Sequence, residues 1–262
     1  MFFPVSDQND TGYRFKLQSV VNLGLIAACI AVYMHEVELS TQSPELLSAF
    51  IDKWSFVPSE YLSAGYAHKS LGGRLAELLG VVADVKNHAA IKFVSAAFLH
   101  GGFLHIFSNM LALWMLGDNV EYAMGHIRYL FFFLLTAGLS FMGQTLFLAD
   151  AGGAGAIGAS GAIFAVAGAY LAYFPKARIN FFYFFFIIFG MTSFPARLVI
   201  AFFFIGEVLT TMSGDFGMVA VWAHVTGFIC GFVLSFFFRR SETADYQPPV
   251  RKSYSKKIAP WG

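Results

Sequence analysis

The sequence predicts an all-α integral membrane protein, a bundle of six transmembrane helices with a long, partly membrane-embedded first loop. Three observations carry that expectation. The 262 residues are 57% hydrophobic and 13% charged, where a soluble domain has about 45–50% and about 25%. The mean hydropathy is +0.63. The apolar residues gather into runs of roughly 18–24, the length of a membrane-crossing helix and too long for barrel strands. A net charge of +1 gives no reason to expect nucleic acid or an acidic ligand as a partner.

The first sixteen residues are mostly polar and lack a basic start followed by a cleavage site, so no removable signal peptide is read and they are taken as a cytoplasmic tail. Span one is Leu17–Met34. The stretch 35–92 contains Pro44, Pro58, Gly65, Gly72 and Gly73 between short apolar pieces, the pattern of a loop with surface helices at the interface. Spans two and three are Phe93–Leu116 and Ile127–Leu148. The Gly/Ala-rich segment Gly152–Phe174 is the fourth. Asn180–Gly190 is apolar but too short to cross, and is read as a connecting or interfacial piece. Pro195–Met212 and Met218–Phe238 complete the set. The membrane domain is thus 17–238, and 239–262, with Pro248-Pro249, is a polar tail expected to be disordered and cytoplasmic. Cys29 and Cys230 fall within apolar segments and read as small packing residues.

Basic residues in short loops set the orientation. Arg14 and Lys16 precede span one, Arg128 joins spans two and three, Lys176, Arg178 and Arg197 follow span four, and Arg239, Arg240, Arg251, Lys252, Lys256 and Lys257 follow span six. Six spans with both termini cytoplasmic put all of these on one side. The short opposite connections, near Asp150 and Asp215, carry no Lys or Arg; the long first loop does carry basic residues, but long loops count weakly.

Two polar residues stand out inside these spans. Ser160 lies in Gly158-Ala159-Ser160-Gly161, and His224 lies in span six. A hydroxyl and an imidazole are costly in hydrocarbon unless they pair or meet water. Ser160 is fourteen residues before Phe174, the inner boundary of span four, and His224 is fourteen before Phe238, that of span six. At 1.5 Å per residue both sit about 21 Å from the inner boundary, or about 9 Å below the outer surface of a ~30 Å core. Gly161, Ala165, Gly168 and Ala172 form a small-residue strip on span four, and Ala223, Gly227 and Gly231 another on span six, which allows close approach of the two helices. Gly152, Gly153, Gly155 and Gly158 disfavour a helix before Ser160, so the helix is expected to begin there, with its free N–H groups and positive dipole end at the serine. The alternative is a packing role for these glycines and a minor hydrogen bond for Ser160.

Span two holds His100, His105 and Asn109. His105 and Asn109 are four apart, on one helical face, placed either to donate to an oxyanion or to lock helices together. Metal binding is disfavoured: His35-Glu36-Val37-Glu38 fails the HExxH pattern, and no three-ligand cluster is evident. No cofactor is called for. No Asp or Glu lies at the depth of Ser160 and His224, which predicts a Ser–His dyad without an acidic third member, the imidazole held by packing against the ring of Phe164.

Taken together, His100, His105 and Asn109, the Gly158–Gly161 motif, and Ala223-His224 followed by Gly227 and Gly231 resemble the rhomboid intramembrane serine proteases of the bacterial type, over roughly Lys92–Phe238. The resemblance implies a six-helix bundle, Ser160 as nucleophile, His224 as general base and then acid, and an oxyanion hole from His105, Asn109 and the Ser160 N–H. It implies a structural or water-network role for His100, an open backbone at Gly158 beside the nucleophile, and transmembrane proteins as substrates; the short tails suggest a bacterial inner membrane. Two departures are Ile91-Lys92, where many members carry Trp-Arg, and Phe164, where some have Tyr. A non-catalytic client-binding relative and a small transporter are the rival readings; intact Ser160 and His224 weigh against the first, the lack of deep acidic residues and of paired half-sequence symmetry against the second.

Overall fold

The computed structural model of the chain describes residues 2–7, 19–57, 69–83, 89–147, 156–185, 188–212 and 221–240. The helices are α1 (Val20–Gln42), α2 (Pro44–Trp54), α3 (Leu71–Ala83), α4 (Ala89–Ser95, continued by a 3-10 turn at Ala96–Phe98), α5 (Phe103–Met124), α6 (His126–Phe147), α7 (Ser160–Tyr173), α8 (Ala196–Met212) and α9 (Val221–Phe238). By length and composition α1, α6 and α9 each suffice to cross a membrane; Ile91–Phe98 and Phe103–Met124 together pass as a fourth span bent by 99°, while α7 and α8 are shorter apolar helices.

Two expectations are corrected. The protein is not all-α: β1 (Phe2–Asp7), β2 (Arg178–Phe185) and β3 (Ile188–Pro195) form an antiparallel sheet in the order β1-β2-β3. The apolar connecting piece Asn180–Gly190 is part of a hairpin, rich in the aromatic residues that suit strands, and part of the polar N-terminal tail is the third strand. Span two is not continuous over Phe93–Leu116: the chain turns at His100-Gly101-Gly102 and the helix resumes at Phe103, because glycine is a poor helix former. The helix that holds most of span one, α1, runs on past Met34 to Gln42. The proposed loop carries α2 and α3, and α2 is started by Pro44 at its first turn and by Ser43, whose hydroxyl accepts from the N–H groups of Glu45 and Leu46. The C-terminal tail, the glycines Gly152–Gly155 and the residues near Asp150 and Asp215 lie outside the described residues.

The core is centred on α7. Its Ala165, Val166, Ala169 and Tyr170 are inaccessible to solvent, and it packs against α5, α6, α8 and above all α9. The α7–α9 contact is backbone against backbone. A Cβ on Gly227 would overlap the carbonyl oxygen of Gly161, one on Gly231 would overlap Ala165, and one on Gly168 would overlap the carbonyl of Phe228. On the other side of α7, a Cβ on Gly161 would run into the hydroxyl of Ser140 on α6. Such small-residue seams bring membrane helices together where lipid supplies no hydrophobic drive.

A buried polar knot joins α1, α5 and α6. Glu121, fully buried, accepts from the N–H groups of Val21 (3.1 Å) and Asn22 (2.7 Å) in the first turn of α1 and meets His126 at 2.5 Å. The Asn22 amide donates to the carbonyl of Leu113 and accepts from Tyr129. A carboxylate at a helix N-terminus satisfies orphan donors and complements the dipole.

Two stability outcomes follow from these contacts. Gly231→Ala is expected to destabilise by about 1–3 kcal/mol through overpacking, whereas Gly206→Ala on α8, where a Cβ meets nothing within 4 Å, should be neutral or stabilising by up to about 1 kcal/mol. Unfolding midpoints in detergent micelles separate the two, and equal midpoints would contradict the close seam. Glu121→Leu strands two buried N–H groups and should cost about 2–5 kcal/mol in the same measurement.

Candidate active site

The stretch leading into α7 is non-helical, and its backbone groups are paired. Phe56 and Ala156 exchange hydrogen bonds at 3.2 and 2.8 Å, and the Gly158 N–H donates to the carbonyl of Ala96 at 2.8 Å. These bonds make an irregular backbone tolerable away from water. Gly158 has φ +120°, a region L side chains rarely adopt, and a Cβ there would lie 2.7 Å from His105 Nε2. The position thus takes glycine for two reasons. α7 begins at Ser160, and the preceding Ala159 has no side chain to cap the first-turn N–H groups, which leaves the positive end of the helix facing the serine.

Ser160 and His224 meet. The serine Oγ is 2.6 Å from His224 Nε2. His224 is 2% exposed, and its ring stacks on Phe164, centroids 4.5 Å apart at 26°. Phe164 is in turn held edge-on by Phe204 of α8. The start of α9 is fixed by Gln144 of α6, whose side-chain oxygen accepts from the Ala223 N–H at 3.0 Å.

His105 and Asn109, one turn apart on α5, line the same cleft as Ser160 and His224. The cleft measures about 330 Å³ and is otherwise mostly apolar, with Met115, Ile163, Val199 and Phe203 in its walls and no Asp or Glu among the described residues that line it. The Gly101 N–H donates to His105 Nδ1 at 3.3 Å. A nitrogen that accepts carries no proton, so a neutral His105 bears its proton on Nε2, the atom nearest Gly158. The buried amide nitrogen of Asn109 has no hydrogen-bond partner among the described residues. Gly158 packs directly against His105 and beside Ser160.

His100 is not on the α5 helix and does not line the cleft. It sits in the turn before α5, 2% exposed, with Nδ1 at 3.2 Å from the Phe98 carbonyl and its ring 5.1 Å from that of His105. Gly161, Gly227 and Gly231 belong to the α7–α9 seam. Sequence reasoning passed over Gln144 and Ser140, although a glutamine deep in an apolar span was a readable signal of the kind used for Ser160. It also passed over Glu36, which is 3% exposed, because that residue lies beyond the expected end of span one.

Comparison with known proteins identifies the family. Residues 87–241 match the family model described as the Rhomboid domain. The chain is similar to Rhomboid protease GlpG of Yersinia pseudotuberculosis serotype I, 31% identical over 160 residues, which are 60% of this chain and 51% of that protein. It is also similar to RHOMBOID-like protein 1 of Arabidopsis thaliana, 25% identical over 240 residues, or 87% of this chain and 57% of that one. The chain thus spans a little over half the length of the curated relatives it matches. With the family model covering more than half of its residues, and with its long apolar helices, this integral membrane protein belongs to the rhomboid family.

Proposed function

We propose that the chain is an intramembrane serine endopeptidase that hydrolyses peptide bonds within or beside the transmembrane helices of membrane proteins. The observation that carries this reading is the 2.6 Å contact between Ser160 Oγ and His224 Nε2 in the wall of a mostly apolar cleft. In the resting state the hydroxyl donates to Nε2. As Oγ attacks the carbonyl carbon, its proton passes to Nε2, and the imidazolium then protonates the leaving amine. Water enters, gives a proton to His224 and attacks the acyl ester, which releases the second product and restores Ser160. The tetrahedral oxyanion is held by His105 Nε2–H, the Asn109 amide and the Ser160 N–H, all oriented before substrate arrives. The reaction calls for no cofactor.

Six spans, both termini cytoplasmic and a bacterial inner membrane complete the proposal; the Lys and Arg of the short loops and tails, which then share one side, support the orientation. The short α7 then crosses only the inner part of the bilayer, so Ser160 lies below the outer surface. A helical substrate hides its carbonyls, so cleavage favours Gly, Ala or Pro near the cut, where unwinding costs least.

Ser160→Ala and His224→Ala are expected to insert and fold normally yet lower cleavage of a single-span reporter in liposomes by at least ~10³-fold. Undiminished cleavage by either removes the dyad, and reporter binding without cleavage by the unmodified protein would indicate a client-binding relative instead. Asn109→Ala, which removes one oxyanion donor, should lower kcat by about 10²-fold with KM little changed; an unchanged kcat would return Asn109 to a packing role.

A further inference from the structure

Between the 3-10 turn and α5 the chain bends by 99°, and the bend exposes backbone N–H groups inside an apolar protein. The first of these belongs to His100. It donates to both carboxylate oxygens of Glu36, at 3.2 and 3.3 Å. Glu36 comes from α1, sixty-four residues earlier, and is 3% exposed. Burying that carboxyl is costly, and the His100 N–H offsets part of the cost.

The next N–H along the chain is that of Gly101, and it donates to His105 Nδ1. Only the two backbone dihedrals of His100 separate the peptide that Glu36 holds from the peptide that sets His105. The His100 ring is fixed as well: the Phe98 carbonyl within 3.2 Å can only accept, so His100 Nδ1 carries the proton.

We infer that Glu36 is a positioning residue for the oxyanion site: by holding the His100 N–H it aims the Gly101 N–H at His105 Nδ1, and so keeps the proton of His105 on the Nε2 that faces the cleft. Glu36 touches no reacting atom and acts through the turn. Glutamine, which retains a carbonyl acceptor, preserves this function; leucine, similar in size and unable to accept, abolishes it. The catalytic consequence rests on the reading of His105 as an oxyanion donor, whereas the tautomer does not depend on that reading.

The test uses the full chain with ring-15N histidine in micelles, His105 being assigned by difference against His105→Gln, and parallel kinetics on the single-span reporter. The expected result is an Nε2-protonated His105 in the unmodified protein and in Glu36→Gln. In Glu36→Leu a mixture of tautomers is expected, with kcat lowered about tenfold or more and KM within about twofold. An Nδ1-protonated His105 in the unmodified protein overturns the inference, and so does a Glu36→Leu protein with unchanged nitrogen shifts or kcat, or a Glu36→Gln protein as impaired as Glu36→Leu. If Glu36→Leu does not fold, the unmodified protein and Glu36→Gln still decide it. If the unmodified protein cleaves no reporter, the proposed function fails and the nitrogen shifts alone judge the positioning.

Discussion

Gly227 and Gly231 lay the backbone of α9 directly against the carbonyls of Gly161 and Ala165 on α7, and the remaining geometry of the site depends on that approach. With no side chain between them, the two helices have one register in which they fit. Ser160 is the residue before Gly161, and His224 is three before Gly227, so the register that closes the seam also brings a hydroxyl and an imidazole to 2.6 Å. Packing density in a protein interior leaves little freedom to slide. The stack of Phe164 on His224 holds the ring without any carboxylate in the lining of the cleft.

A second constraint is the satisfaction of backbone groups where helices are interrupted. The stretch before Ser160 and the turn before Phe103 both run through apolar surroundings, and neither could persist with unpaired N–H and C=O groups. Phe56 and Ala96 pair with the first, and Glu36 and His105 with the second. The bonds from Phe56, Ala96 and Glu36 come from parts of the chain distant in sequence and tie those residues to the site. They are therefore part of its scaffold, and Gly158, bonded to Ala96 and pressed against His105, is where the two interruptions meet.

The helical part of the fold was legible where one residue class dominated a long run. α6 and α8 begin within one residue of the expected starts of spans three and five, and α7 begins at Ser160, as the glycines before it required. The sheet was not legible. Arg178–Pro195 is so uniformly apolar that the two-residue alternation of a half-buried strand is hidden, and its partner strand Phe2–Asp7 lies in a segment whose composition reads as a tail. Nor did the pattern reveal the bend at His100, because hydropathy averages across Gly101 and Gly102 and sees one continuous span.

Sequence by itself determined the membrane class, the places where glycine would let helices touch, and the equal spacing of Ser160 and His224 from Phe174 and Phe238, because each of these follows from composition or from spacing along a single helix. Only the tertiary structure decided that Glu36 reaches the turn before α5, that Gln144 caps α9, and that the tail supplies a strand. The physical reason is common to all three. Each is a hydrogen bond between groups far apart in the chain, and the partner a buried polar atom finds is set by how helices pack, which no local pattern of residues encodes.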